Sequence, residues 1–171
     1  MPSLESVYRQ ELGYVLQTLR RLAVPQAALE DVAHDVFITV QAKLPGYDPT
    51  RPLKPWLFAI SARSASNFHD RAHHRRESFE PADAEDPSLG PEGHSEAAAA
   101  RRLVGRALQT LDADKRAIFV LHELDQVPVP EAAQALGVGA DTAWSRLRAA
   151  RKQFNEACLT MLAPAEVRTH G

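Results

Sequence analysis

A run of acidic residues and prolines near the middle of the chain constrains its fold more than any other feature. Residues 77–96 contain seven Asp or Glu residues and three prolines, but no Lys or Arg. Prolines interrupt helices, and a highly charged segment with few apolar side chains cannot bury enough surface to fold by itself. We therefore expect a flexible acidic linker at 77–97, which separates a domain at 1–76 from a second domain at 98–171.

On both sides of this linker, apolar residues recur at three- and four-residue steps. This is the period of an amphipathic helix, and no segment alternates with the two-residue period of a strand. The period predicts helices over 4–22, 29–44 and from about Trp56 onward, and then over 97–111, 113–124, 130–136 and 141–162. Four prolines in 45–55 indicate a stiff loop. The predicted fold class is all-α, with two small helical domains.

The segment 131–152 has the pattern of a helix-turn-helix. Gly137 ends a first helix that is rich in small residues, Val138 fills the angle, and a basic second helix follows. Such a helix enters the major groove of DNA, where basic groups neutralise phosphates and the first turn reaches base edges. The candidate contacts are Ala140, Asp141, Thr142, Trp144, Ser145, Arg146, Arg148, Arg151 and Lys152. An ordinary helical hairpin with a solvated basic face remains an alternative, and Trp144 is expected to pack partly against the preceding helix.

Composition narrows the choice of compartment and partner. The formal net charge is −2, so a DNA-binding surface must arise from local segregation of charge. The one cysteine, Cys158, permits neither an internal disulfide nor a cysteine-based zinc cluster, which fits a reducing cytoplasm. The start of the chain lacks a signal-peptide pattern, and no apolar run approaches the roughly 20 residues that span a bilayer. We expect a cytoplasmic protein without membrane insertion.

The helix predicted at 29–44 carries an acidic face beside its apolar stripe. Leu29–Phe37 resembles the acidic helix with which extracytoplasmic-function (ECF) sigma factors bind core RNA polymerase. The resemblance implies polymerase contacts at Glu30, Asp31, His34, Asp35 and Ile38. His34 departs from the family pattern, which usually has glutamine at this position.

Other segments resemble the same family in the same order. Residues 46–49 and 55–58 resemble its loop and the helix start that follows, and 62–68 with Arg71, Arg75 and Arg76 resemble the helix that handles the minus-ten promoter element. Residues 111–124 resemble the helix before its helix-turn-helix, and 142–147 with 150–151 resemble its minus-thirty-five recognition helix. The implied minus-ten contacts are Tyr47, Asp48, Arg51, Trp56, Arg63, Asn67, Phe68, Arg71, Arg75 and Arg76. Tyr47, in a loop, is the better candidate for stacking on an unstacked base, whereas Trp56 and Phe68 either stack on bases or pack in the core.

The resemblance implies a sigma factor that binds core RNA polymerase, melts the minus-ten element with its first domain and reads the minus-thirty-five element with its second. The implied partners are core RNA polymerase, promoter DNA and an anti-sigma protein. No enzymatic activity, small-molecule substrate, cofactor or metal is expected.

Two other classes of protein are alternatives to a sigma factor. A zinc enzyme could use His69, His73 and His74, although no Glu completes a His-Glu-x-x-His pattern. A conventional repressor or activator would bind duplex DNA as a dimer without polymerase, and it would not need the Leu29–Phe37 helix.

Overall fold

The computed structural model describes residues 1–78 and 95–164, which we call the first half and the second half. Most of the predicted acidic linker, at 79–94, and the C-terminal segment 165–171 lie outside the described residues. Within 1–78 and 95–164 all regular elements are helices, which confirms the all-α prediction.

The first half is a bundle of three helices that pack against one another. They are α1 (Leu4–Arg21), α2 (Leu29–Lys43) and α3 (Leu53–Ser78). The side chain of Ser3 caps α1 by accepting a hydrogen bond from the N–H of Ser6 at 3.1 Å. The apolar stripes predicted from the sequence meet in a core that includes Val15, Leu19 and Phe58.

Helix α3 begins at Leu53, earlier than the predicted start near Trp56. Pro55 is the third residue of the helix, and the first backbone N–H groups of a helix have no intrahelical partner. Proline at this position therefore removes no helical hydrogen bond.

The second half contains four helices and a turn of π-helix. They are α4 (Glu96–Gln109), α5 (Ala113–Phe119), the π-turn (Val120–Leu124), α6 (Val129–Leu136) and α7 (Ala140–Leu162). Asp112 caps α5 by accepting from the N–H of Lys115 at 2.9 Å, and this hydrogen bond lowers the pKa of the Asp112 carboxyl. Helix α4 starts inside the predicted linker range, where Ser95 provides its cap.

The π-turn is a difference from the single helix predicted over 113–124. It widens the end of that helix and leads into a turn in which Gln126 has a φ of 58°. His122 closes this turn with a ring nitrogen, Nδ1, 2.8 Å from the carbonyl oxygen of Val127. A widened turn of this kind occurs often at functional positions in helices.

The two halves pack against each other. Helix α3 contacts α6, and α1 contacts α4. Buried apolar side chains of both halves form one continuous cluster, from Val7 in α1 to Ala150 in α7. The chain therefore adopts a closed arrangement in which its two small helical units share a core.

Candidate nucleic-acid interface

The predicted helix-turn-helix is formed by α6 and α7. Gly137 ends α6 with a φ of 69°, in the left-handed region that favours glycine. The N–H groups of Gly137 and Val138 donate to the carbonyls of Gln134 and Ala133, which closes the last turn of α6. The chain reverses direction there, and α7 begins three residues after Gly137.

Helix α7 has a buried face and an outward face. Ala143, Leu147 and Ala150 recur at three- and four-residue steps and are fully buried. The candidate DNA contacts that are exposed to solvent are Ala140, Asp141, Thr142, Trp144, Ser145, Arg148 and Lys152. The first turns of α7 therefore present a mixed polar and aromatic surface.

The four basic side chains of this helix are not equivalent. Arg148 and Lys152 lie on the outward face and are exposed. Arg146 instead pairs with Asp114 of α5 at 3.4 Å, and Arg151 donates to the carboxylate of Glu123 in the π-turn. The structure thus turns Arg146 and Arg151 toward the body of the second half.

The side chain of Trp144 is partly packed and partly exposed. Its side chain is 42% exposed, and its ring centroid is 6.5 Å from that of His122 in an edge contact. The partial packing predicted for Trp144 is therefore present, but it is made with the π-turn, and the rest of the indole faces solvent.

The candidate minus-ten residues of α3 form an exposed stripe. Arg63, Asn67, Arg71 and Arg75 follow at four-residue steps, so they lie along one side of the helix, and Arg76 beside them is also exposed. Arg71 reaches Asp35 of α2 at 3.6 Å, which links this stripe to the acidic helix. Trp56 and Phe68 are half-buried and pack against the core, consistent with the packing alternative for both.

Tyr47, the preferred candidate for stacking on a base, has a buried ring in this structure. Tyr47 is only 7% exposed, and its ring lies 4.8 Å from that of Trp56. Its hydroxyl donates to the carbonyl of Arg51, so the polar group of the side chain is satisfied within the same loop. The sequence of a loop does not show whether its aromatic side chain is buried within the loop or exposed to solvent.

Asp48 and Arg51 of the same loop are exposed and pair at 3.7 Å. Thr50 donates to Asp48 from its hydroxyl at 2.7 Å and from its N–H at 2.9 Å. These hydrogen bonds hold the pKa of the Asp48 carboxyl below its usual value. The loop is therefore a preorganised structure with a fixed negative charge.

The acidic face of α2 surrounds an exposed apolar side chain. Ile38 is 53% exposed, and the acidic or polar residues in the two helical turns before it, Glu30, Asp31, His34 and Asp35, are exposed as well. Tyr8 of α1 is 47% exposed and meets Phe37 edge-on at 4.8 Å. Tyr8 shares the apolar period of α1, so the sequence does not distinguish it from the buried residues of that helix.

One of the three histidines of α3 has a structural contact with the loop after α1. His69 Nε2 lies 2.9 Å from the carbonyl oxygen of Leu22, so one ring nitrogen of His69 serves the fold. Among the described residues, no group of three His, Cys, Asp or Glu side chains is placed to hold a metal ion. Within the same ranges, no helix combines the length and apolar character that crossing a bilayer requires.

Family models match both halves of the chain. Residues 7–77 match the model described as Sigma-70 region 2, and residues 93–154 match that described as Sigma-70, region 4. The RNA polymerase sigma factor NccH of Alcaligenes xylosoxydans xylosoxydans is 31% identical over 143 residues, which cover 81% of this chain and 77% of NccH. The ECF RNA polymerase sigma factor SigE of Mycolicibacterium smegmatis is 27% identical over 161 residues, covering 91% of this chain and 62% of SigE.

Two solved structures share the fold. CnrH in complex with the cytosolic domain of CnrY superposes with a TM-score of 0.65 at 24% identity, covering 94% of this chain and 89% of CnrH. The sigma factor RpoE in complex with the anti-sigma factor NepR from Bartonella quintana gives a TM-score of 0.62 at 25% identity, covering 88% and 95% of the two chains.

Proposed function

The chain belongs to the sigma-70 family, as a sigma factor of the ECF type that directs promoter-specific transcription initiation, and on this basis we propose how its surfaces divide the work. The domain at 1–76 binds core RNA polymerase and the minus-ten element. The domain at 98–171 binds the minus-thirty-five element, and the acidic segment 77–97 links the two.

The exposed face of α2 is proposed to bind core RNA polymerase. The composition of this face is the main observation in favour of the proposed function. Ile38 and Tyr8 supply exposed apolar area, and Glu30, Asp31 and Asp35 surround it with negative charge. Protein interfaces combine an apolar centre with a polar rim in this way. The negative rim fits a basic surface on the partner, and complementary charge speeds and orients the encounter.

The stripe on α3 is proposed to hold the minus-ten element after it opens. Arg63, Arg71, Arg75 and Arg76 are placed to contact phosphates, and Asn67 can both donate to and accept from a base edge. The rings of Tyr47 and Trp56 contact each other, and Asp48 and Arg51 belong to the same loop as Tyr47. A base could stack there only on the exposed part of Trp56, or after the loop rearranges.

The outward face of α7 is proposed to read the minus-thirty-five element. Arg148 and Lys152 supply phosphate contacts, and Thr142, Trp144 and Ser145 in the first turns reach the base edges. Arg146 and Arg151 orient the helix through Asp114 and Glu123 in this structure, so their part in DNA binding requires those ion pairs to break.

We also propose an anti-sigma protein as a partner, because solved relatives include the sigma factor RpoE in complex with the anti-sigma factor NepR. The family is one of transcription regulators, and we propose that this chain catalyses no reaction itself. Its place of action is proposed to be the cytoplasm, where it would meet core RNA polymerase.

The α2 surface is tested by Asp31→Arg, which reverses a charge on its rim. Binding to core RNA polymerase, measured by titration with labelled chain, should weaken about ten-fold, because a like charge then faces the basic partner. Glu156→Arg is the matched control, since it makes an equivalent charge change at an exposed position of α7. Equal loss of core binding in both variants, or no loss in Asp31→Arg, would remove α2 from the interface.

A further inference from the structure

The ring of His122 is held in place by the turn in which it lies. Its Nδ1 is 2.8 Å from the carbonyl oxygen of Val127. Because a carbonyl oxygen only accepts hydrogen bonds, Nδ1 carries the hydrogen and donates it. Val127 is buried, and its N–H donates to the carbonyl of Leu121 at 3.1 Å, so the acceptor is itself fixed. The backbone of the turn therefore sets the orientation of the imidazole.

The π-turn decides where His122 and Glu123 lie on the surface of the second half. The N–H of Asp125 donates to the carbonyl of Val120, five residues earlier, at 3.0 Å, where an α-helix would use the carbonyl four residues earlier. The wider turn rotates the residues at its end away from the positions that a continued α5 would give them. His122 and Glu123 are both half-buried, and both contact α7.

These two contacts lie along one side of α7. His122 meets Trp144 edge-on, with the ring centroids 6.5 Å apart. Glu123 accepts a hydrogen bond from the guanidinium of Arg151. Trp144 and Arg151 are separated by about two turns of an α-helix, so they share a side. A helix held at two points on one side cannot rotate about its axis without losing one of them, and the π-turn therefore sets which residues of α7 face outward.

Trp144 lies at the border between the buried and the outward face of α7. Ala143 and Leu147 are fully buried, whereas Arg148, one turn after Trp144, is exposed. The indole is 42% exposed, so its packing against His122 covers only part of it. An indole that is partly exposed adds little to a core, because the stabilisation scales with the apolar area removed from water. The contact with His122 therefore does more for the orientation of the indole than for the stability of the fold.

We propose that His122 is a positioning residue for promoter recognition: its ring fixes the Trp144 indole at the border of the outward face and so sharpens the preference for the base pair that Trp144 contacts. This role rests on the proposed assignment of the minus-thirty-five element to α7. A side chain that already has its bound orientation loses less conformational entropy when it binds. A fixed ring also fits one base pair better than the others, and specificity is this difference in affinity.

Two substitutions separate the ring of His122 from its hydrogen bond. His122→Asn removes the ring but leaves an amide nitrogen that can donate to the carbonyl of Val127. His122→Phe keeps a ring beside Trp144 but has no group that donates to Val127. The positioning role predicts a larger effect for His122→Asn, because Trp144 loses its contact, and a smaller effect for His122→Phe. His73→Asn, at an exposed position of α3, is the matched control.

The orientation of the indole is measured in the free, full-length chain by time-resolved fluorescence anisotropy. Trp56→Phe is introduced into every variant, because the chain has two tryptophans and Trp144 then gives the whole signal. With His122 intact, most of the decay should follow the tumbling of the whole chain. His122→Asn should raise the amplitude of the fast component roughly two-fold, because a freed indole samples more than one rotamer. A mainly fast decay with His122 intact, or an unchanged decay in His122→Asn, would overturn the contact.

Base preference is measured with reconstituted holoenzyme that retains Trp56. Promoters that differ at single base pairs of the minus-thirty-five element compete in one transcription reaction. The base pair that Trp144 contacts is the one at which Trp144→Ala abolishes the preference. At this base pair the preference should fall about five-fold in His122→Asn, less in His122→Phe and not at all in His73→Asn. Preferences at the other base pairs should be retained in all three variants.

The outcomes separate positioning from stability and from the proposed function. A freed indole with an unchanged base preference would contradict the positioning role. So would an equal loss of preference at every base pair together with a lower melting temperature, since His122 would then only stabilise the fold. If asparagine leaves the chain unfolded, His122→Phe carries the test, because loss of the hydrogen bond to Val127 alone should already raise the fast component.

The anisotropy measurement uses neither polymerase nor DNA, so its result does not depend on the proposed function. If Trp144→Ala changed no base preference, the assignment of the minus-thirty-five element to this face of α7 would fail, and the role of His122 in promoter recognition would fail with it. The contact between His122 and Trp144 would still be judged by the anisotropy decay alone.

Discussion

Trp144 is an exposed aromatic residue at the start of the proposed recognition helix, and we propose a specific role for it. In the major groove, an apolar side chain can distinguish thymine by contact with its methyl group. The indole is anchored on one side by His122 and open on the other, so it can make such a contact without rearrangement.

Replacing Trp144 with alanine should reduce transcription about ten-fold from promoters that depend on the minus-thirty-five element, because a large apolar contact is removed. Promoters that do not need this element should be little affected. Run-off transcription on a matched promoter pair, with and without the upstream element, measures the difference. An equal loss of transcription on both promoters would show that Trp144 stabilises the fold and does not contact the DNA.

The two kinds of basic residue on α7 should also behave differently. Arg148→Ala should lower the dependence of log affinity on log salt by about 0.9, the value for one lost phosphate contact on duplex DNA. Arg146→Ala should change this slope less, because Arg146 pairs with Asp114 in the structure. The measurement is the affinity of the purified chain for promoter DNA as a function of salt concentration. A larger slope change for Arg146 would show that its ion pair opens on binding.

At the scale of elements, much of the fold follows from local patterns. Three- and four-residue apolar periods define the helices, and a glycine between two of them defines the helix-turn-helix. The π-turn, the burial of Tyr47 and the exposure of Tyr8 could not be predicted in this way, because each depends on contacts with other elements. Asp125 binds Tyr14 and Arg21, which precede it by 111 and 104 positions in the sequence. No local pattern signals contacts between residues so far apart.

The turn between α6 and α7 makes a prediction about stability. Gly137→Ala should destabilise the protein by about 1 kcal/mol or more, because alanine is strained at a φ of 69°. Gly13→Ala is the control: Gly13 lies within α1 with open space around it, so alanine should stabilise there by about 0.5–1 kcal/mol. Thermal unfolding followed by circular dichroism measures both. A neutral Gly137→Ala would mean that the turn relaxes into another conformation.

At the scale of the whole molecule, a chain with a net charge of −2 carries a basic stripe on α3, a basic outward face on α7 and an acidic face on α2. On the proposed assignment of these surfaces, the segregation lets one small protein bind DNA and a basic protein surface at the same time. Weak binding of the free chain to DNA is expected, because phosphate contacts dominate affinity and the whole chain offers little positive charge.

The central claim is that this chain gives core RNA polymerase its choice of promoter. Core polymerase from the organism that encodes the chain should be combined with the purified chain and a fragmented genomic template, and the transcript 5′ ends mapped. The account predicts that a defined set of start sites, sharing upstream elements near minus ten and minus thirty-five, appears only when the chain is present. The same start sites without the chain, or no specific initiation with it, would contradict the account.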